Sequence, residues 1–125
     1  MNLLLDTHTL IWTLADDQGL SLAAREAIED GNNIVFVSSV SVWEISIKRA
    51  LGKLNAPDTL LEEIKRLRLT RLEITHEHAD LAGRLPPIHA DPFDRMLVAQ
   101  AQLEQLILVT RDSEIRKYDT RCLIS

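Results

Sequence analysis

The sequence predicts an α/β protein built on a parallel β-sheet. Three short apolar runs, at 3–5, 34–37 and 106–109, separate stretches with helical periodicity, and none of them alternates polar with apolar residues. Continuous short runs of this kind are typical of strands buried on both faces, as in a parallel sheet. The order of strand, helices, strand, helices and strand favours the same class, because parallel neighbours need long crossover connections.

Each further element follows from a local signal. Weaker apolar segments at 72–74 and 122–124 add candidate strands, so we expect a sheet of about four to five strands. Ser21 and the pair Asp91–Pro92 mark two helix starts, because serine and aspartate cap helices and proline fits the first turn. The apolar spacing predicts helices over 9–15, 21–28, 41–51, 58–69, 76–85 and 92–106.

Length and composition limit the classes of protein that remain. With 125 residues, of which 46% are hydrophobic and 26% charged, residues 1–125 are expected to form a single globular domain. The net charge of −5 argues against a basic nucleic-acid coat protein, but allows an enzyme that acts on nucleic acid at a local site. One cysteine, no apolar run of membrane length and no basic leader predict a cytoplasmic protein outside the membrane.

Four carboxylates have a structural explanation when each is considered alone. Asp6 ends the first apolar run and can cap the helix that follows. Glu44 follows Ser41 by three residues, which is the spacing of a capping box. Asp94 falls in the first turn of a predicted helix, and Asp112 precedes a short helical stretch that it can cap.

Together, the same four acids indicate a metal site. Each falls at the end of a predicted strand or in a first helical turn, and such positions meet along the ligand-binding edge of an open parallel sheet. Two carboxylates about 4 Å apart repel by about 4 kcal/mol at an effective dielectric of about 20, whereas a helix dipole offsets about 0.3–1 kcal/mol. A cluster of acids therefore needs protons or a cation, and oxygen ligands without cysteine favour Mg²⁺ or Mn²⁺. Such ions can activate water and stabilise phosphoryl displacement.

Four short motifs hold these acids. They are Leu-Asp-Thr-His at 5–8, Ser-Val-Trp-Glu-Ile at 41–45, Asp-Pro-Phe-Asp-Arg at 91–95 and Val-Thr-Arg-Asp at 109–112. In this order and spacing, over nearly the whole chain, they resemble the PIN-domain family, specifically the VapC-type toxins of bacterial toxin–antitoxin pairs. The resemblance implies a three-layer α/β/α fold with a central parallel sheet. It also implies a metal-dependent endoribonuclease that often cuts transfer or ribosomal RNA, usually forms a homodimer and is inhibited by a cognate antitoxin.

The resemblance also implies roles for individual residues. Asp6, Glu44 and Asp94 match the three core acids of the family and Asp112 matches the fourth, so that together they would hold Mg²⁺ or Mn²⁺ and position the hydrolytic water. Thr110 matches the hydroxyl residue that supports the fourth acid, and we expect Thr7 to support the site in the same way.

Four basic side chains beside the acids are further candidates for RNA contacts. They are His8, Lys48, Arg95 and Arg111. An arginine can bind phosphate through two parallel hydrogen bonds. Each of the four also has a structural alternative. His8 can be a histidine at a helix start without a catalytic role, Lys48 can form an ion pair with Glu44 one helical turn earlier, and the arginines can simply neutralise the acids.

Two positions depart from the family pattern. Gln105 stands where a glycine is expected at a helix C-terminus, which puts a left-handed turn there in doubt. Ala90 stands where a basic residue is common, just before Asp91, which puts one substrate contact in doubt.

Two other functions stay open on sequence grounds. Asp6 could be the nucleophile of a phosphotransfer domain, although haloacid-dehalogenase phosphatases carry a second acid two residues later, where this chain has His8. The acids could instead bind a basic peptide in a protein without catalytic activity. Activity of the free protein distinguishes the enzyme from the binding module.

Overall fold

A computed structural model describes residues 1–125 and contains five strands with helices on both faces of the sheet. The strands are β1 (Asn2–Leu5), β2 (Ile34–Ser38), β3 (Thr70–Leu72), β4 (Ile107–Val109) and β5 (Cys122–Leu123). The helices are α1 (Thr7–Ala15), α2 (Leu22–Glu29), α3 (Ser39–Ala50), α4 (Leu60–Arg66), α5 (His76–Arg84) and α6 (Pro92–Glu104), with a 3₁₀ turn at Ile115–Lys117.

The strand order β3-β2-β1-β4-β5 places a crevice at the centre of the sheet. Every neighbouring pair is parallel, and Leu3 of β1 pairs with both Val35 of β2 and Ile107 of β4. From β1 the chain builds outward through β2 and β3, and it later adds β4 and β5 on the other side. Ligands bind at such a reversal of strand order, beyond the carboxyl ends of the strands. The predicted parallel sheet of the three-layer α/β/α fold is confirmed.

Apolar layers cover both faces of the sheet. Leu3 and Leu5 join one buried cluster with residues of α1, α2 and α4, whereas Leu4 joins a second with residues of α5 and α6. Because successive strand residues point to opposite faces, burial on both sides explains why the strands read as continuous apolar runs. Each fully buried leucine stabilises the fold by roughly 1.5–3 kcal/mol. None of the helices has the length and apolar character that a bilayer crossing requires.

Helix α3 begins earlier than its sequence pattern indicates. The Ser38 hydroxyl accepts a hydrogen bond from the Val40 N–H at 3.0 Å, and this cap starts the helix at Ser39. Ser41 is therefore buried inside the helix, and the predicted capping box with Glu44 is wrong. As a result, the Glu44 side chain does not cap the N-terminus of α3.

Other boundaries move for identifiable reasons. Strand β3 lies at Thr70–Leu72 and not at 72–74, because its register with β2 pairs Thr70 with Phe36. Helix α4 is confined to Leu60–Arg66, and the chain then turns at Arg68, whose φ of 57° is left-handed. Helix α1 starts two residues before its predicted start, directly after its Asp6 cap.

Gln105 ends α6 in the left-handed conformation, with φ 56° and ψ 49°. Its N–H donates to the Ala101 carbonyl oxygen, so the turn forms although the residue is not glycine. The doubt that the missing glycine raised about this turn is removed. An L-residue held in this region costs about 1–2 kcal/mol.

We expect Gln105→Gly to stabilise the protein by about 1 kcal/mol, because glycine adopts the left-handed region without steric cost. Urea unfolding measures the change in the free energy of unfolding. Gln105→Ala is the matched control and should give no such gain, since alanine retains the Cβ. An equal gain from both substitutions would show that the side chain of Gln105, and not its backbone conformation, carries the cost.

Candidate metal centre and active site

A polar pocket of about 400 Å³ opens at the carboxyl edge of the sheet, where β1 and β4 end. None of its lining residues is hydrophobic, and carboxylates outnumber cationic side chains. The lining residues are Asp6, Thr7, His8, Glu44, Lys48, His89, Asp91, Asp94, Arg111 and Asp112. The four acids that the sequence predicts therefore face one cavity.

Asp6 is both a helix cap and a wall of the pocket. One carboxylate oxygen accepts a hydrogen bond from the Thr9 N–H at 2.8 Å, and the other accepts from the Thr110 hydroxyl at 2.5 Å. The Thr110 oxygen in turn accepts from the Asp112 N–H at 3.1 Å. Thr110 is fully buried, so this one hydroxyl fixes Asp6 directly and Asp112 through its backbone.

Glu44 enters the pocket from the second turn of α3. Its Oε1 accepts a hydrogen bond from the Thr7 hydroxyl at 2.7 Å, and its other oxygen pairs with the Lys48 ammonium. The hydrogen bond that Lys48 donates to Glu44 is the main reason why the pKa of Lys48 lies above its ordinary value. Thr7 thus supports Glu44, in the way that Thr110 supports Asp6.

Asp94 and Asp112 both approach the Nε2 atom of the His89 imidazole. His89 Nε2 lies 2.9 Å from Asp94 Oδ2 and 3.8 Å from Asp112 Oδ2. Asp94 projects from the first turn of α6, which Asp91 caps by accepting hydrogen bonds from the N–H groups of Phe93 and Asp94. The other Asp112 oxygen accepts from two N–H groups at the start of the 3₁₀ turn.

Burial raises the pKa of the Asp94 carboxyl from its usual 3.8 to about 7. The negative charges of Asp91 and Glu44 act in the same direction, whereas the hydrogen bond with His89 partly opposes them. The pocket therefore holds more negative charge than its own cations balance. A bound cation would relieve this repulsion, because it stabilises the ionised carboxylates that burial disfavours.

The donor set of the pocket fits a hard divalent cation. Carboxylate oxygens predominate, His8 and His89 contribute the only imidazoles, and no cysteine lines the cavity. The donor atoms of His89, Asp94 and Asp112 all lie within 4.8 Å of one another. Such a set suits Mg²⁺ or Mn²⁺ better than a structural zinc ion, which usually takes several thiolates or imidazoles.

Two of the predicted basic residues stand at the margin of the pocket. His8 is exposed on the first turn of α1. The Arg111 guanidinium donates to the carbonyl oxygens of Ser125 and Gly19 and stacks on Trp12, with its central carbon 4.2 Å from the ring centroid. Its Nη1 group donates to no acceptor within the chain and so stays available for a ligand.

Arg95 does not line the pocket, which corrects its prediction as an RNA-contacting side chain beside the acids. Its two Nη groups hold the end of α5 and the loop that follows. They donate to the carbonyl oxygens of Ala82, Gly83, Leu85, Pro86 and His89 and to the Tyr118 hydroxyl. The side chain therefore has a structural role in which both of its Nη groups are already used.

Sequence reasoning missed two residues of the pocket. His89 shows no metal-binding spacing with the other histidines, and Asp91 was explained fully as a helix cap. A signal was nevertheless present, because Asp91 and Asp94 are three residues apart at a helix start and such residues share one side of the helix. The position of His89 depends on tertiary contacts and had no comparable signal.

The strand order and the carboxylate pocket define a doubly wound α/β protein whose acidic site lies at the reversal of the sheet. The model of the PIN domain family matches residues 3–121, and the chain belongs to this family. The chain is also 32% identical over 123 residues to Ribonuclease VapC22 of Mycobacterium tuberculosis, in a match that covers 92% of this chain and 90% of that protein.

Solved structures share the fold at lower sequence identity. VapBC2 from Rickettsia felis, bound to a DNA fragment from its promoter, matches with a TM-score of 0.73 and 16% identity over 98% of both chains. DNA-bound VapBC from Salmonella typhimurium matches with a TM-score of 0.70 and 20% identity over 98% of this chain and 97% of that one. These similarities establish the architecture and the path of the chain.

Proposed function

We propose that this protein is a metal-dependent endoribonuclease that hydrolyses RNA phosphodiester bonds. It acts in the cytoplasm as the toxin of a toxin–antitoxin pair, forms a homodimer and is inhibited by a cognate antitoxin. The observation that carries the proposal is the convergence of Asp6, Glu44, Asp94 and Asp112 on one pocket that no hydrophobic residue lines. The similarity to a ribonuclease over nine-tenths of both chains supports the same substrate class.

The four acids are proposed to hold Mg²⁺ or Mn²⁺. When bound, such a cation activates water and stabilises the charge that develops on the phosphoryl group. Thr110 and Thr7 keep Asp6 and Glu44 in place, because their hydroxyls donate to these carboxylates inside the pocket. Carboxylate oxygens that remain free accept hydrogen bonds from the attacking water and orient it toward the phosphorus.

Basic side chains at the margin of the pocket are proposed to bind RNA phosphates. Lys48 pairs with Glu44, but its ammonium has three donors and can contact a phosphate while it keeps this pair. His8 is exposed beside it, and Arg111 offers its free Nη1 group from the segment that follows β4. The acidic pocket itself also attracts cationic side chains, which is consistent with inhibition by a basic segment of an antitoxin.

A phosphotransfer function is less well supported by the geometry. Both oxygens of Asp6 accept hydrogen bonds, from the Thr9 N–H and the Thr110 hydroxyl, and these bonds hold the carboxylate in one orientation. The residue two positions later, His8, offers no second carboxylate. Asp6 is therefore better placed as a fixed ligand than as an attacking group.

Cleavage of total bacterial RNA by the purified protein, free of any partner, tests the proposal. We expect discrete new 5′ ends in Mg²⁺ or Mn²⁺ and none in EDTA, mapped by sequencing. Asp6→Asn should slow cleavage by at least about 100-fold, since it removes a charged ligand from the centre. The fold should persist, because asparagine caps a helix as well as aspartate does.

Asp80→Asn is the matched control for this experiment. Asp80 lies on α5 in an exposed ion pair with Arg84, away from the pocket, and its substitution should leave cleavage unchanged. Cuts that persist in EDTA, or a wild-type rate from Asp6→Asn with intact circular dichroism, would contradict the proposed nuclease.

A further inference from the structure

The His89 imidazole occupies a position that a metal ligand would need. Its Nε2 atom, Asp94 Oδ2 and Asp112 Oδ2 face one another within the pocket. His89 and Asp94 are each about four-fifths buried, with side-chain exposures of 20% and 18%. The histidine therefore points into the site and not into solvent.

The spacing of these atoms agrees with a shared coordination sphere. Mg²⁺ and Mn²⁺ bind ligands at about 2.0–2.2 Å in an octahedral arrangement, so adjacent ligand atoms lie about 3.0 Å apart and opposite ones about 4.2 Å apart. The 2.9 Å separation of His89 Nε2 from Asp94 Oδ2 matches an adjacent pair. The 3.8 Å separation from Asp112 Oδ2 falls between the two values, within reach of a small side-chain adjustment.

The backbone around His89 is fixed by groups outside the pocket. The His89 N–H donates to the buried Tyr118 hydroxyl at 2.9 Å, and the His89 carbonyl oxygen accepts from Arg95 Nη1 at 3.3 Å. A loop residue whose backbone is held on both sides in this way keeps its Cα–Cβ bond in a constant direction. Preorganisation of this kind is what a ligand needs in order to bind a cation without a large ordering cost.

We propose that His89 supplies a nitrogen ligand to the cation held by Asp94 and Asp112, and that this ligand shifts the preference of the site from Mg²⁺ toward Mn²⁺. The inference rests on the proposed metal-dependent function. Imidazole binds transition-metal ions, whereas Mg²⁺ strongly prefers oxygen ligands and keeps its waters. The competing role for His89 is a hydrogen-bond donor to Asp94 that moves aside when a cation binds.

Pulsed electron paramagnetic resonance of the Mn²⁺-loaded wild-type protein tests the ligand directly. A coordinated imidazole couples its ¹⁴N nucleus to the Mn²⁺ electron spin, so we expect ¹⁴N modulation. Labelling the histidines with ¹⁵N should replace this signal with a ¹⁵N doublet. Because His8 also lines the pocket, coupling that persists in His8→Gln assigns the nitrogen to His89, even where a substitution of His89 disturbs the fold.

Metal titrations of His89→Gln and His8→Gln give an independent readout. We expect His89→Gln to lose the nitrogen coupling and to bind Mn²⁺ at least about tenfold more weakly, while its Mg²⁺ affinity changes much less. His8→Gln is the matched control, because it removes a second imidazole from the same pocket, and its affinities for Mn²⁺ and Mg²⁺ should equal those of the wild type. Circular dichroism checks that both variants are folded.

The possible failures are distinguishable. Wild-type protein that binds Mn²⁺ without nitrogen coupling, or a His89→Gln variant that binds Mn²⁺ as tightly as the wild type, overturns the role of His89 and leaves the nuclease intact. Wild-type protein that binds neither Mn²⁺ nor Mg²⁺ overturns the metal-dependent function itself.

Discussion

In metal-free buffer at pH 8, Asp94→Asn is expected to unfold several degrees above the wild type, although it removes a residue of the candidate active site. The reason is that burial, with the charges of Asp91 and Glu44, raises the pKa of this carboxyl to about 7 in the folded protein. The folded wild type must therefore hold an ionised carboxylate in an unfavourable environment at pH 8. Asparagine keeps the shape of the side chain without the charge.

The dependence on pH gives this prediction its sign. In the unfolded chain Asp94 has a pKa near 3.8, so between about pH 4 and pH 7 the folded state holds a proton that the unfolded state has released. Wild-type stability falls as pH rises through this window, and above about pH 7 the whole penalty is present. The gap in melting temperature between the variant and the wild type should therefore be small near pH 4 and constant above pH 7.

Divalent cations should reverse the order of stability. A cation that binds the folded state at 100 times its dissociation constant stabilises it by about 2.7 kcal/mol. We expect Mn²⁺ to raise the wild-type melting temperature, more at pH 8 than at pH 6, because below about pH 7 it must displace the proton of Asp94. Asp94→Asn should lose most of this gain.

Asp80→Asn serves as the control for these melting curves. Asp80 lies in an exposed ion pair, so its substitution should change stability by less than about 1 kcal/mol and keep the wild-type response to Mn²⁺. If Asp94→Asn follows the wild-type curve from pH 4 to pH 8, then the carboxyl is not held in the unfavourable state that its surroundings indicate.

The strands and the acidic edge of the sheet were predictable from the sequence, because local patterns of apolar and capping residues determine them. Continuous apolar runs predicted strands buried on both faces, and three of them lie within one residue of β1, β2 and β4. The acids at strand ends and helix starts could be assigned to one edge because parallel strands point the same way. Asp6 shows that a structural and a functional interpretation can both hold, since it caps α1 with one oxygen and faces the pocket with its carboxylate.

The parts that depend on tertiary contacts were not predictable in the same way. Strand β3 was displaced because its register with β2, and not its apolar content, sets its position. The left-handed turn at Gln105 forms without glycine because the following strand must return to the sheet. His89 enters the pocket through contacts with Arg95 and Tyr118, which are separated from each other by 23 residues.

Arg95 is the residue whose role in the structure differs most from the predicted one. Helical geometry alone argues against a position of this side chain in the pocket. Adjacent residues of an α-helix are rotated by about 100°, so a side chain next to Asp94 does not face the same cavity. The structure instead directs Arg95 to five carbonyl oxygens and the Tyr118 hydroxyl. Each of these acceptors loses a charged donor when the guanidinium is removed.

We therefore expect Arg95→Met to destabilise the protein by about 2–4 kcal/mol, as measured by urea unfolding. Methionine preserves the apolar stem, so the loss reports the hydrogen bonds. Arg95→Lys should recover little of the stability, because one ammonium cannot replace a planar group that reaches acceptors on both sides. Arg84→Met is the matched control, since Arg84 is an exposed arginine at the end of α5 that pairs only with Asp80. This substitution should change stability by less than about 1 kcal/mol.

The same variants separate a structural role from a contact with RNA. If Arg95 holds the loop, Arg95→Met should also release His89 from the pocket, and Mn²⁺ affinity should fall together with stability. If Arg95 instead binds phosphate, the variant should keep its unfolding curve and its Mn²⁺ affinity, and only its RNA binding should weaken. The six hydrogen bonds of the two Nη groups favour the first outcome, because they leave only the Nε–H for a ligand.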